Sequence, residues 1–307
     1  MRHSLIIALV FMAAGLLPGQ SSNKARPPIT GVSHMTFYAH DLEKSQKFYG
    51  SWLGWTQQPA GSVRSGVRFY ANHAQYIELI SAPDPEPDNR LVSIGFSTSD
   101  AESMRRFLSS SGVPVPPSVT VDRDGNRSFL IHDPEGHAIG FDQQGTHAPR
   151  ESRSPTPISL RIDHMGIVVH DRAAMDRFYK DLLGFRLYWQ GGGDPARTEW
   201  VMMQVPDGTD WLEYILVQTP TPSRGLWGAA NHFSPGVVSI AELQQALKER
   251  GWVPSAGEHT LIGADGKWEL NLHDPDGTRV EFTEFKPVQK PCCSPYTGPH
   301  PSSSQRW

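Results

Sequence analysis

The chain repeats itself at the scale of a whole domain. The segment at positions 34–41, HMTFYAHD, recurs at 164–171 as HMGIVVHD. In the same order, HDPEG at 132–136 recurs as HDPDG at 273–277. The separation of about 130 to 140 residues is far longer than a solenoid repeat. The repetition therefore predicts two related domains, and both must fold on the same plan.

Each predicted domain divides again into two similar units. After His164, hydrophobic periodicity and turn residues predict a strand, a helix capped by Asp171 and closed by Gly184, and three further strands. The predicted elements are a strand at His164–Val169, a helix from Asp171 to about Leu183, and strands at Phe185–Trp189, Glu199–Gln204 and Trp211–Gln218. This order is a βαβββ unit.

The pattern begins again near His232, and the N-terminal half follows the same scheme over residues 31–82 and 91–144. The predicted elements of the last unit are a strand at Val237–Ile240, a helix at Ala241–Arg250 ended by Gly251, and strands near Gly257–Ile262, Trp268–His273 and Arg279–Glu284. We therefore predict an α+β protein built from four βαβββ modules. Their pairing gives an N-terminal domain at 31–144 and a C-terminal domain at 159–286, joined by a linker at 145–158.

The two ends of the chain have their own character. Residues 1–22 contain a short positive start and an apolar run from Leu5 to Leu17, which is too short to span a bilayer and is typical of an export signal. We predict a periplasmic or secreted protein without stable membrane insertion. The tail at 287–307 is rich in Pro and Ser and is expected to extend over the surface.

Cysteine content and charge exclude two classes of protein. Cys292 and Cys293 are adjacent and lie in the tail, so a disulfide framework for the folded body is excluded. The pair is an exposed feature of the tail or, alternatively, a thiol site or a strained bridge between neighbours. The net charge of −4 and the lack of a basic run give no sign of nucleic-acid binding. A small-molecule partner and either a monomer or a homodimer are expected.

Four residues in the C-terminal half stand at matching intervals. They are His164, Glu213, His232 and Glu281, separated by 49, 19 and 49 residues. Taken singly, each is an ordinary polar residue, but the joint spacing places one His–Glu pair in each of two successive units. Two imidazoles and two carboxylates form a ligand set for a divalent metal. Mixed nitrogen and oxygen ligation does not choose among Zn, Ni, Co, Mn and Fe.

The four βαβββ units, the histidine that begins a first strand, and the Asp-Pro-(Glu/Asp)-Gly before a last strand resemble the vicinal oxygen chelate superfamily. That group includes glyoxalase I, bleomycin-resistance proteins, methylmalonyl-CoA epimerase and type I extradiol dioxygenases. The resemblance covers residues 31–285, and its most specific parts are 164–171 and 274–281. It implies that two units curl into an incomplete barrel around a metal, with ligands from the first and last strands of each unit.

The resemblance assigns a place to each candidate ligand. It makes His164 and His232 the first-strand ligands of the third and fourth units, and Glu213 and Glu281 their last-strand ligands. In the N-terminal half, His34 and Glu78 occupy the first two of the matching places. Ser93 and Gly140 occupy the other two and cannot replace imidazole and carboxylate. We therefore predict a degenerate half without metal, and the alternative is a weak metal site at His34 and Glu78.

Three functions fit this reading. The first is a glyoxalase-like lyase or isomerase that removes a proton next to a carbonyl, with Glu281 or Glu213 as base. Export argues against a glutathione adduct, which is made in the cytosol, as its substrate.

The second function is an Fe(II) extradiol dioxygenase with a triad of His164, His232 and Glu281. Asn271 stands where that branch has a tyrosine, and Glu213 is an additional ligand.

The third function is a metal-free binding protein of the bleomycin-resistance type. It would hold a small ligand between aromatic walls, with candidates Trp200, Trp211, Trp227 and Trp268. Retention of all four ligand types in the C-terminal half argues against this alternative.

Overall fold

The computed structural model describes residues 25–59, 66–145 and 157–303. The predicted export signal at 1–22 and most of the predicted linker at 145–158 lie outside these ranges. The domain boundaries therefore remain predictions.

The first half of the chain forms one curled eight-stranded sheet, which we call the N-terminal half-barrel. Its strand order is β2-β3-β4-β1-β5-β8-β7-β6. The elements are β1 (Ile29–Ala39), α1 (Leu42–Gln46), β2 (Thr56–Pro59), β3 (Gly66–Tyr70), β4 (Tyr76–Ser81), β5 (Leu91–Thr98), α2 (Ala101–Ser110), β6 (Thr120–Val121), β7 (Arg127–His132) and β8 (Ala138–Gln143).

The second half forms a matching sheet, the C-terminal half-barrel, in the order β10-β11-β12-β9-β13-β16-β15-β14. The elements are β9 (Ile162–Val169), α3 (Arg172–Asp176), β10 (Arg186–Gly191), β11 (Trp200–Gln204), β12 (Trp211–Leu216), α4 (Arg224–Ala230), β13 (His232–Val237), α5 (Ile240–Glu249), β14 (Thr260–Ile262), β15 (Trp268–His273) and β16 (Arg279–Glu284). In each sheet the two units join through an antiparallel pair of first strands, β1 with β5 and β9 with β13. The predicted fold of paired βαβββ modules is confirmed.

Local differences from the prediction have physical causes. The strand predicted at Val237–Ile240 is wrong, because the strand is His232–Val237 and Ser239 caps helix α5 by accepting a hydrogen bond from the Glu242 amide. Helix α4 was not predicted. Helices α1 and α3 each continue as a π-helical turn, at Lys47–Trp52 and Arg177–Leu182. Gly184 and Gly251 end their helices with positive φ angles of 79° and 83°, as expected for C-terminal glycines.

The two half-barrels share one hydrophobic core. Phe233 of β13 packs between rings of the N-terminal half, with ring centroids 6.2 Å from Tyr49 and 5.8 Å from Trp55. Tyr49 donates a hydrogen bond of 2.9 Å to Asp274, and in the mirror arrangement Tyr179 donates one of 3.2 Å to Asp133. The repeated Asp-Pro-(Glu/Asp)-Gly loops are therefore two matching places where each half binds the other.

The segment after β16 packs on the C-terminal half-barrel. The Val288 and Cys292 amides donate to carbonyl oxygens of the β14–β15 turn, and the Thr297 amide donates to the Tyr188 carbonyl on β10. Because β14 and β10 are the two edges of the sheet, this tail runs across the mouth of the half-barrel. Cys292 and Cys293 form a disulfide. No helix in the described ranges has the length and apolar character needed to cross a membrane.

Candidate metal centre

The four residues singled out by their spacing meet in the C-terminal half-barrel. His164, Glu213, His232 and Glu281 each offer one ligand atom, and these atoms all lie within 4.8 Å of one another. These four residues, which we call the metal quartet, stand on β9, β12, β13 and β16. The four strands are adjacent in the middle of the sheet. In the part of the chain that the structure describes, this is the one such cluster of at least three His, Cys, Asp or Glu side chains.

The inward atoms are the ring Nε2 atoms and the carboxylate oxygens. The His232 Nε2 lies 3.2 Å from the His164 Nε2, 2.9 Å from a Glu281 oxygen and 3.3 Å from a Glu213 oxygen. The His164 Nε2 lies 3.5 Å from Glu281. All four side chains are buried, with 0 to 7% of each residue exposed. This buried set of two nitrogens and two oxygens can bind a divalent metal.

The absence of a side chain at Gly166 leaves the space that the His232 ring occupies. Gly166 lies opposite His232 on β13 and beside Glu213 on β12. A Cβ atom at position 166 would stand 2.0 Å from the His232 Cε1, a distance that no side chain tolerates. A strand interior otherwise disfavours glycine, so its presence here marks a close approach of another group.

Each imidazole is held in place by a hydrogen bond at its Nδ1, the ring nitrogen that faces away from the centre of the cluster. The His164 Nδ1 lies 3.1 Å from the Asp163 carboxylate, and the His232 Nδ1 lies 2.9 Å from the Ala230 carbonyl oxygen. A hydrogen bond at Nδ1 fixes the ring and leaves Nε2 directed at the centre, which is the usual arrangement of histidines that bind metals.

The cluster shifts the pKa values of its members. Burial by itself lowers the pKa of His164, but its bonds to Asp163 and Glu281 outweigh burial and raise this pKa to about 9. Burial raises the pKa of Glu281, but Arg279, His164 and His232 together hold it well below its usual range. These three neighbours therefore favour the ionised form of Glu281.

The comparisons with known proteins agree with this geometry. The sequence profile of the Glyoxalase/Bleomycin resistance protein/Dioxygenase superfamily matches residues 31–141 and 161–282. The chain belongs to this superfamily. No curated protein sequence matches the chain.

Solved structures from the glyoxalase/dioxygenase superfamily share the fold at low sequence identity. The 2,3-dioxygenase LapB from Pseudomonas sp. KL28 is 16% identical with a TM-score of 0.64, covering 92% of this chain and 97% of that one. The Mn(II)-bound glyoxalase from Novosphingobium aromaticivorans is 18% identical with a TM-score of 0.61, covering 84% and 83%. Homoprotocatechuate 2,3-dioxygenase from Brevibacterium fuscum is 19% identical with a TM-score of 0.61, covering 84% and 81%.

The matching place in the N-terminal half-barrel has different chemistry. His34 is present, but its Nδ1 lies 2.9 Å from Asp142 of β8, and the Ser93 hydroxyl stands 3.5 Å from its Nε2. Glu78 is present but accepts a hydrogen bond of 3.1 Å from Arg68. At the fourth place, Gly140 packs closely against His34, and a Cβ there would stand 3.1 Å from the ring Cε1.

Several polar atoms beside the quartet have no hydrogen-bond partner among the described residues. Those on the same half-barrel include Trp211 Nε1, Lys267 Nζ, Asn271 Oδ1 and Arg279 Nε. Asn271 stands directly opposite Glu281 in the strand register. The Lys267 ammonium lies 4.3 Å from the centroid of the Trp211 ring, and that ring stacks on His164 at 4.6 Å. Sequence reasoning noted Asn271 but missed Lys267, although both fall at inward-facing positions of one strand pattern.

The four tryptophans proposed as walls do not line one cavity. Trp200 and Trp211 belong to an aromatic cluster near the quartet, together with Tyr188, Trp189 and Tyr296 of the tail. Trp227 stands on α4 and packs in a separate cluster, and Trp268 is 36% exposed. That part of the prediction was wrong because residue type alone does not show which face of a strand a side chain occupies.

Proposed function

We propose that the protein is a metal-dependent enzyme that removes a proton from a carbon next to a carbonyl, as lyases and isomerases of the glyoxalase type do. The observation that carries this proposal is the presence of two carboxylates, not one, within a buried set of four ligands. A three-ligand iron site would bind the metal through one of these carboxylates, and the other would not be a ligand.

A divalent metal held by His164, Glu213, His232 and Glu281 supplies Lewis-acid polarisation of a substrate oxygen. The chain supplies the base. Glu281 is held by His164, His232 and Arg279, whereas His232 is the ion-pair partner of Glu213 within the described ranges. Because fewer contacts hold Glu213, its carboxylate is freer to accept the proton, and we assign it as the general base.

The surroundings fit a small polar substrate that excludes water as it binds. The unpaired atoms of Trp211, Asn271 and Arg279 offer hydrogen bonds that the protein itself does not satisfy. The tail covers the mouth of the half-barrel, so the substrate reaches the quartet when the tail moves aside. Such a closing segment keeps a reactive intermediate away from bulk water.

Activity measurements on metal-reconstituted protein test this proposal. An α-ketoaldehyde–thiol panel is run beside a catechol panel, with oxygen uptake recorded throughout. We expect turnover that consumes no oxygen and that falls at least about 100-fold in Glu213→Gln, in the range for loss of a general base. Glu78→Gln, at the matching place in the N-terminal half, is the control and keeps full turnover.

The second candidate is an extradiol dioxygenase, favoured by the fold likeness to ring-cleaving enzymes over most of both chains. Ring cleavage of a catechol with oxygen uptake, retained in Glu213→Gln and lost in Glu281→Gln, would overturn the proton-abstraction proposal and establish this one. Absence of turnover on both panels, with metal bound, would contradict the assignment of either activity to these substrate classes.

Export is a separate part of the proposal and rests on the apolar run at Leu5–Leu17. Expression of the full chain followed by fractionation should give a shortened protein outside the cytoplasm. Full-length protein in the cytoplasmic fraction would contradict export and leave the metal chemistry unaffected.

A further inference from the structure

We propose that the N-terminal half-barrel, which lacks the metal quartet, is a second binding site that takes a small organic cation with an aromatic ring. The site is a cavity of about 650 Å³ on the concave face of the sheet, large enough for a ligand of drug size. This inference is independent of the proposed enzymatic activity, because none of the metal quartet lines the cavity.

The cavity has a built floor. Ser33, His34, Thr36, Glu78 and Ser93 line it, and each is 2 to 7% exposed. These polar groups are held in place by one another and by neighbours on adjacent strands. Examples are the 2.9 Å contact of the His34 ring with Asp142 and the 3.1 Å bond from Arg68 to Glu78. A floor that is fixed before the ligand arrives needs little further ordering on binding.

Aromatic rings form part of the wall. Tyr38, Tyr70 and Tyr76 line the cavity, and the Tyr70 and Tyr76 rings have centroids 5.0 Å apart. One cation already uses such a ring, since the Arg68 guanidinium lies 4.5 Å from the centroid of Tyr76. Tyrosine rings attract cations through their quadrupole and also stack on flat ligands.

The charge of the lining selects a cation. Four carboxylates line the cavity, from Glu78, Asp122, Asp124 and Asp142, against the single guanidinium of Arg68. Asp122 and Asp124 stand exposed at the rim, while Glu78 lies on the floor. A concave surface with an excess of one charge concentrates ligands of the opposite charge. The cluster of described residues that could hold a metal ion lies in the other half-barrel.

The contrast with the C-terminal half-barrel supports a role for this open space. There, Tyr188, Trp189, Met202 and Trp211 form a hydrophobic cluster beside the metal quartet, and Tyr296 of the tail packs against them. The same scaffold can therefore cover part of its concave face with its own side chains. In the N-terminal half, Arg68 takes the place opposite the glutamate that Met202 has in the C-terminal half, and polar side chains surround a cavity.

Calorimetry with three matched indoles on the full chain tests the proposal. The probes are tryptamine, which is cationic, tryptophol, which is neutral, and indole-3-propionate, which is anionic. We expect tryptamine to bind at least about tenfold more tightly than indole-3-propionate, with tryptophol between them, and its affinity to fall as salt is added.

Three variants locate the binding. Asp122→Asn combined with Asp124→Asn removes two charges and keeps the side-chain oxygen at position 122 that accepts from the Asp124 and Asn126 amides. The double variant should weaken tryptamine about three- to tenfold while leaving tryptophol unchanged. Ser128→Trp places a large ring in the cavity and should abolish binding of all the probes. Glu281→Gln, in the metal quartet, should leave all affinities unchanged.

Equal affinity for the three indoles would overturn the choice of a cation. Binding that survives Ser128→Trp in a protein of normal melting temperature, or that is lost in Glu281→Gln, would overturn the location. Lack of binding by any indole up to millimolar concentration would overturn the site for this ligand class. None of these outcomes bears on the metal content or turnover of the C-terminal half.

Discussion

The two half-barrels place a histidine, an aromatic ring and a glutamate at matching positions but differ in what surrounds them. His34 stacks on Tyr76 at 5.2 Å, as His164 stacks on Trp211 at 4.6 Å. The register is the same in both pairs. The difference begins two residues further along the strand, where the N-terminal half has Thr36 and the C-terminal half has Gly166. A metal site on this scaffold needs vacant space as well as ligands.

The carboxylate behind the first histidine illustrates a second difference. In the C-terminal half it is Asp163, and its other oxygen accepts a 3.3 Å bond from Thr283. In the N-terminal half the positions are exchanged, because Ser33 stands at the place of Asp163 and Asp142 at that of Thr283. Both arrangements orient the ring, so the N-terminal half supports its histidine although two of the four ligand types are absent there.

The substitution Gly166→Thr should have the largest effect on this comparison. It copies Thr36 into the C-terminal half, and its Cβ would meet the His232 ring at 2.0 Å. We expect metal affinity to fall at least about 100-fold, since the ring must leave its position. Competition with a metallochromic chelator measures the affinity. Gly225→Ala is the control, because a Cβ at that position meets nothing within 4 Å. Unchanged metal affinity in Gly166→Thr would contradict the claim that the metal site needs the space at position 166.

The pH dependence of stability should report on the loop that joins the halves. Burial raises the pKa of Asp274 to about 6, although the Thr278 amide and the Tyr49 hydroxyl favour its ionised form. A carboxyl with a raised folded-state pKa binds more protons in the folded than in the unfolded protein. Its contribution therefore destabilises the fold as pH rises from about 4 to about 6.

We expect Asp274→Asn to lose this dependence. Relative to the unchanged protein, the variant should gain up to about 3 kcal/mol between pH 4 and pH 7, from a shift of about two pKa units. Urea unfolding at pH 4, 5, 6 and 7 measures the difference. A constant difference across these pH values would contradict the assignment to Asp274.

In the described ranges, the tail covers the concave face of the C-terminal half and not that of the N-terminal half, and Tyr296 is central to that cover. Its hydroxyl donates a 2.8 Å bond to Asp265, and its ring lies 4.7 Å from that of Tyr188. Tyr296→Ala should lower the free energy of unfolding by about 2 kcal/mol and speed metal loss to a chelator about tenfold. Val288→Ala, in the same tail but 51% exposed, is the control. Equal rates of metal loss would show that the tail does not guard the centre.

The paired tyrosines at the junction of the halves should give the smallest effect. Tyr49→Phe and Tyr179→Phe each remove one hydrogen bond to a buried carboxylate in the opposite half. Each should cost about 1 kcal/mol in the free energy of unfolding. Chemical denaturation measures both, and the double variant should be near the sum because the two bonds lie in different loops. A large effect of one tyrosine and none of the other would show that the halves do not bind each other symmetrically.

Much of the architecture could be predicted because a duplication shows each element twice. Strand β15 at Trp268–His273 and strand β16 at Arg279–Glu284 were predicted with their observed ends. The errors fall where the pattern is short or irregular. Pro235 and Gly236 interrupt β13, and a register shift occurs between Ser234 and Pro235, so the strand was placed too late.

The convergence of the quartet was predictable from spacing, but its environment was not. Spacing does not show that Gly166 is required for His232 to fit, since this is a contact between strands. The closure of the C-terminal half by its tail also escaped prediction, because a Pro- and Ser-rich segment has no hydrophobic period to reveal where it packs. The cavity of the N-terminal half was missed for a related reason: the exchange of Arg68 for Met202 is visible only once the strands are paired.

Elemental analysis of the purified full chain and of four variants tests the central claim most directly. The account predicts about one tightly held divalent metal per chain, lost in His164→Ala and Glu281→Ala and retained in the matching N-terminal variants His34→Ala and Glu78→Gln. Chains that bind no metal even after reconstitution, or that keep it in both C-terminal variants, would contradict the account.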